Sequence, residues 1–123
     1  MKREQKREFA NDSEQEFAQL LLRHNIQYQY EPTTFVLLSN SDGNVLEAMS
    51  PDFYLEDYDL FIELTVMKQE LVTKKNKKAR KLREMYPDVN LKLLYKKEYN
   101  GLLKEDEAGV LAYLASCGGG RNE

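Results

Sequence analysis

The chain has few of the residues that usually reinforce a fold by covalent bonds or metal centres. Its 123 residues include one cysteine, Cys117, one histidine, His24, and no tryptophan. A lone cysteine excludes an internal disulfide and any cysteine-built metal centre, and fits a reducing, cytoplasmic setting. A lone histidine leaves zinc short of imidazole ligands. No apolar run approaches the roughly 18 residues that cross a bilayer, so no membrane partner is expected. The opening MKREQKREFANDSEQEF also lacks the apolar stretch of a signal peptide. A further absence is local: from Tyr28 to Met67 there is no Lys or Arg, against eight acids.

Hydrophobic residues make up 41% and charged residues 32% of the chain, a balance that favours a globular domain over disorder. Its length suits one core, not two. The acid-only segment is followed, from Lys68 to Lys104, by twelve Lys or Arg against four acids. The net charge of −3 therefore conceals an acidic block suited to a cation, beside a basic block suited to an anion.

Periodicity gives the order α-β-β-β-α-β-α, a mixed sheet flanked by helices in the α/β class. Ser13 and Glu16 fit a capping box at the first helix, with Phe17, Leu20 and Leu21 on its apolar face. Extended segments are expected at IQYQYEP, TFVLLS, FYL and LFIELTVM, with NSDGN as a hairpin turn. Tyr28 and Tyr30 alternate as packed strand residues do, with stacking on bases as the other reading. TKKNKKARKLREMY reads as a basic helix whose stripe is Val72, Ala79, Leu82 and Tyr86, ended by Pro87. A last strand, VNLKLLY, precedes a helical segment broken after Leu103. Residues 1–12 form a polar extension, 13–116 one domain and 117–123 a flexible tail.

The chemistry centres on PDFYLEDYDLFIELT. With Glu56–Asp59 as a four-residue loop, Phe53 pairs with Ile62, Tyr54 with Phe61 and Leu55 with Leu60. Asp52 then faces Glu63. Directly opposed residues have Cβ atoms about 5 Å apart, where like charges repel. Protonation, a basic partner or a divalent cation relieves that repulsion, and this block contains no basic residue. Hard oxygen ligands suit Mg²⁺ or Mn²⁺. An isolated strand carboxylate usually faces solvent, but the apolar run around Glu63 reads as a central strand.

SPDF followed by IELT resembles the PD-(D/E)XK nuclease superfamily, the restriction-endonuclease-like fold with its αβββαβ core. The likeness runs from about Ser13 to Leu103. It implies a metal-dependent nuclease acting on nucleic acid, DNA before RNA. It also implies that Asp52 and Glu63 hold Mg²⁺ or Mn²⁺ with an acid of the first helix, Glu14, or with Glu16 beside it. One position departs from the family pattern: Thr65 stands where the motif has lysine. Thr65 can orient a water but carries no charge. Its replacement is sought in the basic helix, with Lys77 or Lys74 ahead of Lys68. Lys74, Lys75, Lys78 and Lys81 are the expected nucleic-acid contacts. A catalytically inactive binding module and a protein-interaction domain are the alternatives. A domain of this size has little surface for gripping a duplex alone, which points to a homodimer or a larger complex.

Overall fold

A computed structural model of the protein describes residues 9–118. Helix α1 (Asp12–Arg23) leads into strands β1 (Gln29–Tyr30), β2 (Phe35–Ser39), β3 (Val45–Met49) and β4 (Phe53–Leu55). A 3-10 turn (Glu56–Tyr58), strand β5 (Leu60–Thr65), helix α2 (Gln69–Met85), strand β6 (Leu91–Tyr95) and helices α3 (Lys96–Lys104) and α4 (Glu107–Cys117) follow. The fold is mixed α/β, with a mixed sheet flanked by helices. No helix among the described residues is long and apolar enough to cross a membrane.

Helix α1 starts two residues earlier than its sequence suggests. Its N-cap is Asn11, whose Oδ1 accepts from the Glu14 amide at 3.0 Å, rather than Ser13. Glu14 Oε1 in turn accepts from the Ala10 amide at 3.0 Å, one residue before the cap, so the two side chains together brace the start of the helix. Glu16 is released from capping and accepts from the Tyr99 hydroxyl at 2.6 Å. Phe9, assigned to the extension, packs edge-on against Tyr30 with ring centroids 4.8 Å apart. The domain thus includes residues expected to precede it. Residues 1–8 of the expected extension and 119–123 of the expected tail lie outside the described residues.

The main sheet runs β1-β4-β5-β6, antiparallel until the β5–β6 pair, which is parallel. The expected register holds: Phe53 faces Ile62, Tyr54 faces Phe61 and Leu55 faces Leu60. Asp59, at φ 48° and ψ 54°, turns the chain back after the 3-10 turn. Strands β2 and β3 do not join this sheet. They form a hairpin of their own, closed by the Asn40–Asn44 turn in which Gly43 takes φ +86°. The break between β3 and β4 falls at Ser50-Pro51, where proline has no N–H to continue a ladder.

Strand parity divides the interior in two. Leu60, Ile62 and Leu64 of β5 face a core with Phe17, Leu20 and Leu21 of α1, and with Leu102, Val110 and Leu114 of the last two helices. Phe61 faces the other side, where Phe35, Leu37 and Met49 of the hairpin meet Ala79 and Leu82 of α2 and Leu91 and Leu93 of β6. Glu63 and Thr65 share Phe61's parity, so they point to the α2 side.

Polar contacts fix α2 on both flanks. On one flank Lys78 Nζ donates to the Ala48 carbonyl at 3.1 Å, and Lys81 Nζ lies 2.6 Å from Glu47 Oε1. The Tyr86 hydroxyl donates to the Val36 carbonyl on the same hairpin at 2.8 Å. On the other flank Asn76 accepts from the Tyr95 hydroxyl at 2.5 Å, and Arg83 donates to the Leu91 carbonyl at 2.8 Å.

Candidate functional site

Asp52 sits at the break before β4, where three neighbours hold it. Its amide donates to Glu63 Oε1 at 3.0 Å, and its Oδ2 accepts from the Leu64 amide at 2.9 Å. Its carbonyl accepts from the Glu31 amide at 2.9 Å. The expected cross-strand couple is therefore present, and each acid is tied to the other strand's backbone. Both are buried, Asp52 at 5% and Glu63 at 7% exposure. Burial first, and then the charge of Glu63, push the Asp52 carboxyl up to about 8. Burial also raises Glu63, opposed by an ammonium beside it.

That ammonium belongs to Lys75. Its Nζ lies 2.6 Å from Glu63 Oε2 and donates to the Leu64 carbonyl at 2.7 Å. Lys77 and Lys74, the residues expected to replace the motif lysine, are exposed on α2, as is Lys68 before it. Helical geometry gives the reason. Val72, Lys75, Ala79, Leu82 and Tyr86 follow one another at intervals of three and four residues, which places Lys75 on the stripe that faces the sheet. Lys77 lies most of a half-turn away. The signal was legible: Lys75 is the one charged residue in an otherwise apolar stripe.

Thr65 is buried at 2% exposure, and its hydroxyl donates to the Glu63 carbonyl at 3.2 Å. The proton expected to orient a water is thus spent on the strand itself. Of the four lysines expected at nucleic acid, Lys75 serves Glu63, Lys78 and Lys81 tie α2 to the hairpin, and Lys74 is exposed.

Glu14 reaches the same end of the sheet from the first turn of α1. It is buried at 6% exposure, and its Oε1 accepts from the Tyr30 hydroxyl at 2.5 Å. Burial and then the Glu14 carboxylate raise the Tyr30 phenol, which keeps it a donor. Sequence reasoning missed Glu31. It follows Tyr30 in the left-handed region at φ 47°, a conformation no periodicity reveals. Carboxylate oxygens of Glu14, Glu31 and Asp52 all lie within 4.8 Å of one another. Glu63 stands beside this trio with one oxygen committed to an amide and the other to Lys75.

The donor set is all carboxylate oxygen, with no imidazole or thiol in it, and so fits a hard divalent cation rather than zinc or copper. His24 is remote from it in the fold, at the end of α1 and 3.7 Å from Glu107. Together the residues make an acidic recess with one ammonium at its edge. Such a recess can hold a cation and present a positive charge to an anionic group beside it. No protein-family model, curated protein or solved structure gives a significant match to the chain.

Proposed function

We propose that this chain is a metal-dependent nuclease-like domain with a restriction-endonuclease-like core, hydrolysing phosphodiester bonds in nucleic acid, DNA before RNA. One observation carries the reading: the Lys75 ammonium lies 2.6 Å from Glu63, supplying the charge that Thr65 lacks at the motif position. A lysine delivered from the following helix serves the same electrostatic purpose as one on the strand.

Glu14, Glu31 and Asp52 are the residues to hold Mg²⁺ or Mn²⁺. A divalent cation bound there would polarise the scissile phosphate and lower the pKa of a bound water. The remaining roles fall to the chain itself. Lys75 stabilises charge developing on the phosphoryl oxygens, and Glu63 orients Lys75. Tyr30 fixes the rotamer of Glu14 by donating to it. Thr65 braces the Glu63 carbonyl rather than a water. On α2, the exposed cations Lys74, Lys77 and Arg80 are the ones suited to a phosphate backbone, since Lys78 and Lys81 are engaged internally.

Thermal unfolding during a Mn²⁺ titration tests the site. At a hundredfold excess over Kd, binding stabilises by about 2.7 kcal/mol, or about 10 °C for a domain of this length. Asp52→Ala is expected to abolish the rise. A wild-type Tm unmoved by Mn²⁺ and Mg²⁺ would sink the reading. Metal binding without cleavage of single-stranded, nicked or branched DNA would reduce it to a nucleic-acid-binding module.

A further inference from the structure

An open groove of about 870 Å³ lies along the end of α1 and the edge strand β1, lined by Leu22, Asn25, Ile26, Gln27, Tyr28 and Tyr30. Two properties set it apart. None of these six side chains carries a charge, in a chain where 32% of residues do. The groove also adjoins the carboxylates through a shared residue: Tyr30 lines it, and the Tyr30 hydroxyl donates to Glu14.

The lining combines flat, half-buried rings with amides. Tyr28 and Tyr30 are each held edge-on to Phe53, at centroid distances of 5.4 and 5.7 Å. Leu22 is an exposed apolar wall at 63%, and the Asn25 and Gln27 amides stand exposed beside it. Among the described lining residues no side chain offers a phosphate a cation. A nucleobase needs none: it is uncharged and planar, it stacks on aromatic and apolar side chains, and its edge bonds to amides. A base within a duplex is already stacked and paired, so only an unpaired one can enter.

We infer that this groove receives an unpaired base of a single-stranded segment whose neighbouring phosphate lies at the Glu14–Asp52 recess. The inference rests on the nuclease reading above and narrows its substrate class to single-stranded or locally unpaired nucleic acid. The acids would hold the phosphate end through their cation, and the groove the base end.

The probe is a short oligonucleotide carrying one 2-aminopurine, as a single strand and as a blunt duplex, with the full chain in Ca²⁺. The single strand is expected to bind about tenfold more tightly than the duplex, with quenching of the 2-aminopurine. The double variant Leu22→Glu, Gln27→Glu changes two exposed residues and places charge in the groove. It is expected to lose about tenfold in single-strand affinity while keeping the Mn²⁺-dependent rise in Tm, which shows that it folds and that the recess is intact. Equal binding of strand and duplex, or a double variant that binds the strand as wild type does, would overturn the groove assignment. If Mn²⁺-dependent cleavage persists alongside either result, the nuclease reading stands without it. If neither form of nucleic acid binds, both readings fall together.

Discussion

Replacing Lys75 with methionine separates a cation that serves the acids from one that decorates a helix. The substitution keeps the unbranched stem and removes the ammonium. Two contacts are lost, the 2.6 Å pair with Glu63 and the 2.7 Å bond to the Leu64 carbonyl. Exposed pairs contribute about 0–1 kcal/mol, and breaking a fully buried pair costs about 3–5 kcal/mol. The Lys75 side chain is 23% exposed and that of Glu63 9%, so the cost falls between these limits, at about 2–3 kcal/mol. For 123 residues, that is a loss of about 8–12 °C in Tm at pH 7. The loss should shrink as pH falls, because burial raises the Glu63 carboxyl and its protonated form no longer needs the ammonium. Lys77→Met, on an exposed face of the same helix, should move Tm by less than about 2 °C. If the chain cleaves DNA, Lys75→Met should slow cleavage about a hundredfold, and Lys77→Met should leave the chemical step unchanged. Differential scanning fluorimetry across pH and a single-turnover cleavage assay read both effects. Equal losses from the two variants would refute the assignment of Lys75.

Two further expectations concern the recess and its frame. With chelator present, the Asp52 carboxyl at about 8 holds a proton that the unfolded chain releases near pH 4. The folded state thus binds more protons between those values, and stability falls as pH rises across that window, by at most about 1.4 kcal/mol per pH unit from this group. Asp52→Asn, which retains an acceptor for the Leu64 amide, should flatten the dependence and raise stability at pH 8; urea midpoints that stay level or rise between pH 5 and 8 in the wild type would contradict this. Lys78→Met removes a tie between α2 and the hairpin, so hydrogen exchange across Phe35–Met49 should quicken about tenfold, with β5 unchanged; uniform exchange across both segments would show that the tie does not act locally.

Some features of this fold follow from short-range rules and some do not. The β4–β5 register was legible because a loop of fixed length and a two-residue period leave one solution. Lys75 was legible in principle, since the spacing from Val72 and to Ala79 marks it as inward. Counting it with the solvated lysines hid that. The destinations of Lys78 and Lys81 lie 30 and 34 residues away in the chain, on a hairpin whose separation from the sheet no periodicity announced. Glu31 was the hardest to see. Its position depends on a left-handed backbone and on a hydrogen bond from its amide to the Asp52 carbonyl, both set by tertiary packing. Asn11 takes the cap in place of Ser13: its side chain accepts from the Glu14 amide, while Glu14 accepts from the Ala10 amide and the Tyr30 hydroxyl, a contact across the fold that local spacing does not announce.

The lysine beside Glu63 is carried by α2, not by the strand that carries the acid. A lysine two residues after Glu63 on the same strand would arrive as soon as β5 formed. Lys75 arrives only when α2 lies across the sheet, and α2 is tied there by contacts to β3 and β6. The charge balance of the recess is therefore a readout of completed assembly: a partly folded chain would carry the carboxylates without their ammonium. Conversely, any ligand that draws Lys75 away from Glu63 loosens the seating of the helix, coupling events at the recess to the hairpin on the far flank of α2.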